Sequence, residues 1–359
     1  MNARLKVALV FGGRSGEHEV SVRSARSVAE GLSERHEVLP LFVDKAGGWH
    51  LQAGGVPLSG GGAEGGEAVF LSPSPEDCGR LRRLADAREL ARPDVFFPVL
   101  HGTYGEDGTV QGFFEFASVP YVGAGVLASA ASMDKAIMKS LFAEAGLPQV
   151  EHRVLRRRDP AAEALVLQEL GLPLFVKPAN LGSSVAVSKV KTREALDPAL
   201  ALAFSYDRKV VVERGHDVRE IEVSILGNDE PVASLPGEIV PDREFYDYDS
   251  KYAADSRTEL LIPARIDAAL TTAVQELGKA AFRAVDAAGY ARVDCFLERA
   301  SGRLLLNEIN TIPGFTSISM YPKLWEASGI SYPELLARLV TLGLERHQAR
   351  TRLSTHYGG

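Results

Sequence analysis

Glu308 and Asn310 stand two residues apart in the stretch 304–314, Leu-Leu-Leu-Asn-Glu-Ile-Asn-Thr-Ile-Pro-Gly. In an extended strand such a pair points to one face while Ile309 turns to the other. A carboxylate and an amide oxygen are hard ligands, suited to Mg²⁺, which is usually held by one or two carboxylates together with substrate phosphates. The Pro-Gly that follows breaks the strand and lets the backbone turn close to a ligand. Taken alone, the segment reads equally well as a strand end with polar residues facing water. Arg292 and Asp294 share a strand face by the same period of two. Asp294 would add a second carboxylate and Arg292 a fixed cation, a platform suited to stabilising charge during phosphoryl or acyl transfer.

A second constellation lies upstream. Residues 175–185, Phe-Val-Lys-Pro-Ala-Asn-Leu-Gly-Ser-Ser-Val, set Lys177 at a strand end before a glycine and two hydroxyls. Lys177 would neutralise a phosphate, and the amides of Gly182, Ser183 and Ser184 would hydrogen-bond its oxygens. The order is not that of a Walker A loop, and a plain hairpin loop is the competing reading. Lys135, after Met133-Asp134, is a second candidate phosphate cation. Glu213 closes a further strand, with Glu220 and Glu222 beyond it. A nucleotide at such a strand end needs a carboxylate for its ribose hydroxyls; a solvated acidic turn is the alternative. Residues 245–252, Phe-Tyr-Asp-Tyr-Asp-Ser-Lys-Tyr, read as a loop able to close over a site and exclude water. Glu17-His18-Glu19-Val20-Ser21 and His101-Gly102, with Gly105–Gly108 following, each come after a strand, where open α/β sheets place ligands. No HExxH spacing supports zinc.

These side chains need a scaffold. Residues 6–11 and 94–100 read as strands buried on both faces, 38–43 as another, and 22–32 as a helix, which together predict a doubly wound α/β unit. The Gly-rich stretch 52–67 cannot pack a core and reads as a surface loop or insertion. A second unit begins near residues 121–125. It carries a helix over 134–145 ended by Gly146, short strands at 174–177, 186–190, 210–213 and 221–226, a long helix over 267–288, and a hairpin of 291–298 with 303–308. Residues 346–359 are polar and without period, and are expected to fray. The 359 residues allow two or three packed units, and 45% hydrophobic content makes large cores affordable. A net charge of −7 argues against a nucleic-acid or anionic-membrane surface. No run of apolar residues is long enough for a membrane span, and no signal peptide is visible, so a cytoplasmic protein is expected. Cys78 and Cys295 suggest neither a disulfide framework nor zinc.

The motifs together resemble the D-alanine–D-alanine ligases of the ATP-grasp superfamily. The resemblance rests on Glu-His-Glu-Val-Ser at 17–21, His-Gly-Thr-Tyr-Gly-Glu-Asp-Gly at 101–108 and Met-Asp-Lys at 133–135. It continues in Lys-Pro-Ala-Asn-Leu-Gly-Ser-Ser at 177–184, Tyr-Asp-Tyr-Asp-Ser-Lys-Tyr at 246–252 and Asn-Glu-Ile-Asn-Thr-Ile-Pro-Gly-Phe-Thr-Ser at 307–317. It implies an N-terminal α/β doubly wound parallel-sheet domain followed by an ATP-grasp fold of two α+β subdomains. The boundaries expected are 1–122, 123–216 and 217–345, with a tail at 346–359. It implies ATP-dependent joining of two D-alanines through an acyl phosphate, for peptidoglycan precursors. Glu19 would anchor the first D-alanine's ammonium, His101 would line that site, and Ser319 would hold the second carboxylate. Arg292 and the Gly314 backbone would stabilise the tetrahedral intermediate, and Tyr252, Ser183 and Glu19 would link the closing loop to the site. ATP would be held by Lys135, Lys177, Ser183, Ser184, Glu213, Arg214, Gly215, Glu220 and Lys251. Asp294, Glu308 and Asn310 would bind two Mg²⁺ ions, with Mn²⁺ as a substitute. A homodimer is implied. Ala186 departs from the pattern Gly-Ser-Ser-Val-Gly, which has glycine there. Tyr252 favours the dipeptide over a depsipeptide. The alternatives are a D-alanine–D-lactate or D-alanine–D-serine ligase, and a non-catalytic nucleotide-binding regulator on the same fold.

Overall fold

Strand β1 (Lys6–Gly12) is buried on both faces, as its unbroken apolar run predicts: Val7, Leu9 and Phe11 enter one core, Ala8 and Val10 another. The structure, a computed structural model, describes residues 4–53, 55–56, 66–182, 185–241, 258–316 and 318–354. β1 lies between β2 (Glu37–Val43) and β7 (Val95–Pro98) and runs parallel to both. Helix α1 (His18–Ser33) connects β1 to β2. The turn out of β1 uses Gly12 and Gly13, at φ +93° and +95°; a Cβ on Gly12 would stand 2.3 Å from the Val43 carbonyl oxygen. The sheet has seven strands. Its other four, β3 (Trp49–Leu51), β4 (Glu67–Leu71), β5 (Leu81–Arg83) and β6 (Glu89–Ala91), form an antiparallel extension that the sequence pattern did not announce. Strands of three to five residues are too short to display a period. The Gly-rich stretch joins β3 to β4; its residues 54 and 57–65 lie outside the described residues.

After α2 (Thr109–Phe116) and α3 (Val126–Met133), helix α4 (Lys135–Glu144) starts at Asp134. The Asp134 carboxylate caps it by accepting from the amides of Ala136 and Ile137, and Gly146 closes the far end at φ +68°. A four-stranded sheet follows, in the order β10 (Ser188–Val190), β9 (Leu174–Pro178), β11 (Val210–Arg214), β8 (His152–Leu155). Helices α5 (Pro160–Leu170) and α6 (Leu196–Tyr206) complete its core. The third sheet is built on β12 (Val218–Gly227), β16 (Gly289–Glu298) and β17 (Leu304–Asn310), extended by β14 (Gly237–Val240) and β15 (Glu259–Leu261), with the two-residue β13 (Val232–Ala233) paired to β12. Helix α7 (Ala268–Ala284), capped by Asp267, packs on one face of it, where Ile221, Val223, Val293 and Ile309 are buried. The opposite face carries Glu220, Glu222, Arg292, Asp294, Glu308 and Asn310.

Two helices, α8 (Met320–Ala327) and α9 (Tyr332–Thr351), carry the chain back onto the first sheet, where Leu335, Leu336, Leu339 and Val340 share a core with β1 and α1. The expected fraying from residue 346 is corrected here: α9 continues to Thr351, and Arg346 lies over the Tyr121 ring at 4.1 Å. Packing from outside the segment supplies the stabilisation that its own sequence lacks. Residues 355–359 lie outside the described residues.

Candidate active site

One cleft of about 540 Å³ is lined by residues of the second and third sheets and of the segments that follow strands of the first. The turn after β1 and α1 bring Glu17 and Ser24, and the loop after β7 brings His101 and Glu106; α4 and β9 bring Lys135 and Lys177; the third sheet brings Glu220, Glu222, Arg292, Asp294, Glu308 and Asn310; the segment beyond β17 brings Gly314 and Ser319.

The third sheet arranges its polar face by register. Glu222, Asp294 and Glu308 are mutual partners across β12, β16 and β17, and Ser224, Arg292 and Asn310 form the next row. Directly opposite side chains on adjacent strands stand roughly 5 Å apart at Cβ, so each row is a line of neighbours. A bulge falls at this place: Asp294 pairs with Glu308 but Cys295 with Leu306, leaving Asn307 as the extra residue. Bulges re-aim side chains, and this one brings Glu308 and Asn310 onto the cleft face while Leu305 and Leu306 remain buried. Arg292 makes a two-pronged pair with Asp294, Nε to Oδ1 and Nη2 to Oδ2 both at 2.7 Å, and its Nε is 3.2 Å from Glu222 Oε2. Burial opposes its charge, but Asp294 and Glu222 outweigh that and hold the guanidinium firmly protonated.

Asp294, Glu308 and Asn310 offer the hard oxygen donors a divalent cation of the Mg²⁺ class requires, on adjoining register positions. Among the described residues no group of three or more His, Cys, Asp or Glu side chains is already drawn together as a metal cage. Both Asp294 oxygens are engaged by Arg292, and Asn310 Oδ1 accepts from the Ile312 amide at 3.1 Å. The donor chemistry fits such a cation, provided that Arg292 releases part of Asp294.

Two lysines enter from the other wall. Lys135 Nζ donates to the Leu181 carbonyl at 2.7 Å, and burial pushes its pKa down, against the pull of Glu308. Lys177 is 2.6 Å from Glu213; burial works against its charge, but Glu213 and Glu308 raise its pKa above the ordinary lysine value. Glu213 is 2% exposed, and its second oxygen lies 2.9 Å from Lys139, a lysine that sequence reading passed over. Burial alone would raise the Glu213 pKa, but Lys139 and Lys177 carry it far below the carboxylate range. Lys139 stands one helical turn after Lys135 on α4, a spacing that puts both on one helix face and is the sequence signal available for it. Arg214 donates to the Glu169 carbonyl and Gly215 to the Pro173 carbonyl, and neither is among the cleft-lining residues.

On the first-sheet side, His101 is 4% exposed. Its Nδ1 donates to the Ile312 carbonyl at 3.0 Å, and its Nε2 lies 2.9 Å from Ser24 Oγ. Burial disfavours the imidazolium, yet the hydrogen bond and charge of Glu106, 3.4 Å away, and the charge of Glu17 raise its pKa overall. Glu106, absent from the sequence-derived candidates, is driven the same way by burial and Glu17. Glu19 is a correction. Its carboxylate is 57% exposed and paired at 2.6 Å with Lys45, whereas Glu17 lines the cleft. Glu17 occupies the position before α1 and Glu19 stands in its first turn, and residues two apart on a helix do not share a face.

Ser319 precedes α8, and its Oγ accepts from the Thr316 amide at 3.1 Å. A Cβ on Gly314 would come within 2.9 Å of that Oγ, so a side chain here would displace the Ser319 hydroxyl. The Ala186 departure has a conformational counterpart: its φ is +57°, in the left-handed region that favours glycine. Ser183, Ser184, Lys251 and Tyr252, and the expected closing loop across 245–256, lie outside the described residues. Cys295 is buried, which pushes its thiol pKa up and makes it inert; Cys78 is exposed. Among the described residues no helix is long and apolar enough to cross a membrane.

Two family descriptions match the chain: "D-ala D-ala ligase N-terminus" over residues 6–124 and "D-ala D-ala ligase C-terminus" over 141–341. A D-alanine–D-alanine ligase of Heliobacterium modesticaldum is 55% identical over 357 residues, 97% of each chain. The solved D-alanine–D-alanine ligase of Coxiella burnetii is 35% identical with a TM-score of 0.85, covering 97% of this chain and 96% of that one. The VanG D-Ala:D-Ser ligase of Enterococcus faecalis is 34% identical with a TM-score of 0.84, covering 95% and 100%.

Proposed function

The chain belongs to the D-alanine–D-alanine ligase family, and on that premise we propose that it joins two D-alanines to D-alanyl-D-alanine, converting ATP to ADP and phosphate. The observation that carries this reading is the meeting in one cleft of Lys135, Lys177, Arg292, Asp294, Glu308, Asn310, Gly314 and Ser319, drawn from a helix, two sheets and the segment after β17. Lys135 and Lys177 screen the phosphates of ATP, a role the ligase reading also gives to Ser183, Ser184 and Lys251. Glu213 fixes Lys177, and Arg214, Gly215 and Glu220 serve the nucleotide's sugar and base. The first D-alanine's carboxylate takes the terminal phosphoryl group and becomes an acyl phosphate. Its ammonium is held by Glu17, the carboxylate that faces the cleft, beside His101. The second D-alanine, its carboxylate held near Ser319, attacks through its amino group; the C–N bond forms, phosphate leaves, and a proton is released. Arg292 and the Gly314 amide face the oxyanion of the intermediate. Asp294, Glu308 and Asn310 would hold Mg²⁺, two ions with Mn²⁺ as a substitute, which when bound screens the negative charge of phosphoryl transfer. The loop 245–256, with Tyr252, would exclude water, because a wet acyl phosphate hydrolyses.

The domain boundaries at 122 and 216, the cytoplasmic location and a homodimer belong to the same proposal. The second reading, a D-alanine–D-serine ligase, is favoured by the likeness to the VanG enzyme. Incubating the purified protein with ATP, Mg²⁺ and D-alanine, alone and with D-serine or D-lactate, then resolving the products, separates them. D-Alanyl-D-alanine as the main product in every mixture is expected. D-Alanyl-D-serine made in preference to it would replace the first reading by the second, and D-alanyl-D-lactate would overturn both.

A further inference from the structure

We propose that Glu222 is a positioning residue for Arg292, one that keeps the guanidinium in the cleft when Asp294 turns toward a divalent cation. The inference rests on the ligase reading above.

The geometry sets up a conflict. Arg292 takes both oxygens of Asp294, at 2.7 Å each. Asp294 is also the inner member of the line Glu222–Asp294–Glu308, so a cation held with Glu308 and Asn310 needs at least one of the same oxygens. A carboxylate cannot complete a two-pronged arginine pair and ligate a cation through the same oxygen at full strength in both roles. Arg292 would then lose half of its anchor in a place already largely withdrawn from water. Glu222 stands on the other flank of Asp294, 6% exposed on a central strand, with Oε2 already 3.2 Å from Arg292 Nε. It is the diagonal cross-strand neighbour of Arg292, within reach of a long side chain. Its place at the end of the line away from Glu308 and Asn310 makes it the arginine's holder rather than a third ligand. Asp294 is thus shared, and Glu222 lets it move without releasing the arginine.

Two readouts test this on the full chain. In the dipeptide assay, Glu222→Gln should lower kcat about tenfold while the KM for ATP stays within threefold, because an aim is lost and not a nucleotide contact. The second readout needs no turnover: Mn²⁺ binding to the ADP-bound protein, followed by electron paramagnetic resonance, in a cycle of Glu222→Gln with Arg292→Met. With Arg292 present, Glu222→Gln should weaken Mn²⁺ binding several-fold, since Asp294 is then the arginine's sole strong partner in this pair of carboxylates. With Arg292→Met, the same change should have no effect, because nothing competes for Asp294. A loss of affinity in both backgrounds would make Glu222 a ligand, and a loss in neither would remove its role; either overturns the proposal. The isosteric glutamine keeps the fold, and a melting curve checks it. Wild-type protein that makes no dipeptide would overturn the ligase reading, leaving the Mn²⁺ cycle to decide this one.

Discussion

A helix turns each residue roughly 100° from the last, so carboxylates two positions apart look to nearly opposite sides. Glu17 therefore faces the cleft while Glu19 pairs with Lys45 in solvent. Replacing Glu17 by Gln should raise the KM for D-alanine at least tenfold, on the roughly 1.5–3 kcal/mol of a hydrogen bond to a charged group. Glu19→Gln should leave it within twofold, and steady-state kinetics of the two variants gives the comparison directly. Ala186 poses a backbone question of the same scale. Held at φ +57°, it carries the Cβ strain of the left-handed region, offset in part by its lower entropy when unfolded. Ala186→Gly should be stabilising or neutral, within about 1 kcal/mol, by denaturant titration. A loss larger than that would mean the alanine methyl makes contacts that outweigh its strain.

At the scale of elements, α4, β9 and β11 are tied by one buried carboxylate. Glu213 bridges Lys139 of α4 and Lys177 of β9 from its place near the end of β11. Its pKa is depressed in the folded chain, so below the ordinary carboxylate value of 4.5 the unfolded chain binds a proton that the native one does not. Stability from this cluster is therefore complete above that value and is lost as the pH falls below it. Glu213→Gln should cost about 3–5 kcal/mol at neutral pH, because two buried ammonium groups lose their counter-ion. The variant should also lose less further stability between pH 5 and pH 3 than the parent. Melting curves across that range test both; an equal acid slope in the two proteins would assign the acid sensitivity elsewhere. The bulge at Asn307 is the other element-level device, since without it Glu308 would be out of step with Asp294 and the polar row would be broken.

Over the whole molecule, the chain closes on itself. α9 packs against the first sheet, and Arg346 lies on Tyr121 with Glu115 3.7 Å away. Arg346→Ala should lower stability by about 1–2 kcal/mol through the lost cation–π contact and packing, seen as a shift in Tm. Dipeptide synthesis well below that Tm should persist, since Arg346 is remote in role from the cleft. An unchanged Tm would show that the helix end is held by its other contacts, the Arg350–Glu115 ion pair among them.

The long strands, the capped helix after Asp134 and the hairpin of β16 with β17 were legible because apolar alternation and capping residues are local signals. The same period placed Arg292 with Asp294 and Glu308 with Asn310 on common faces, and the ordered motifs carried the resemblance to the ligase family. What the local pattern lacked was the identity of the neighbours. Whether Glu17 or Glu19 enters the cleft depends on where α1 begins and what it packs against. Glu222 becomes a partner of Arg292 through strand register, and Lys139 a partner of Glu213 through the docking of a helix on a sheet. The antiparallel extension of the first sheet and the last turns of α9 are stabilised by contacts distant in sequence, which no window of neighbouring residues contains. Periodicity and chemistry along the chain determined which residue types were available, and even the Arg292–Asp294 pair within one strand; the tertiary structure decided the other meetings, because Glu213 with Lys139 and Lys177, and Glu222 with Arg292, pair across separate elements.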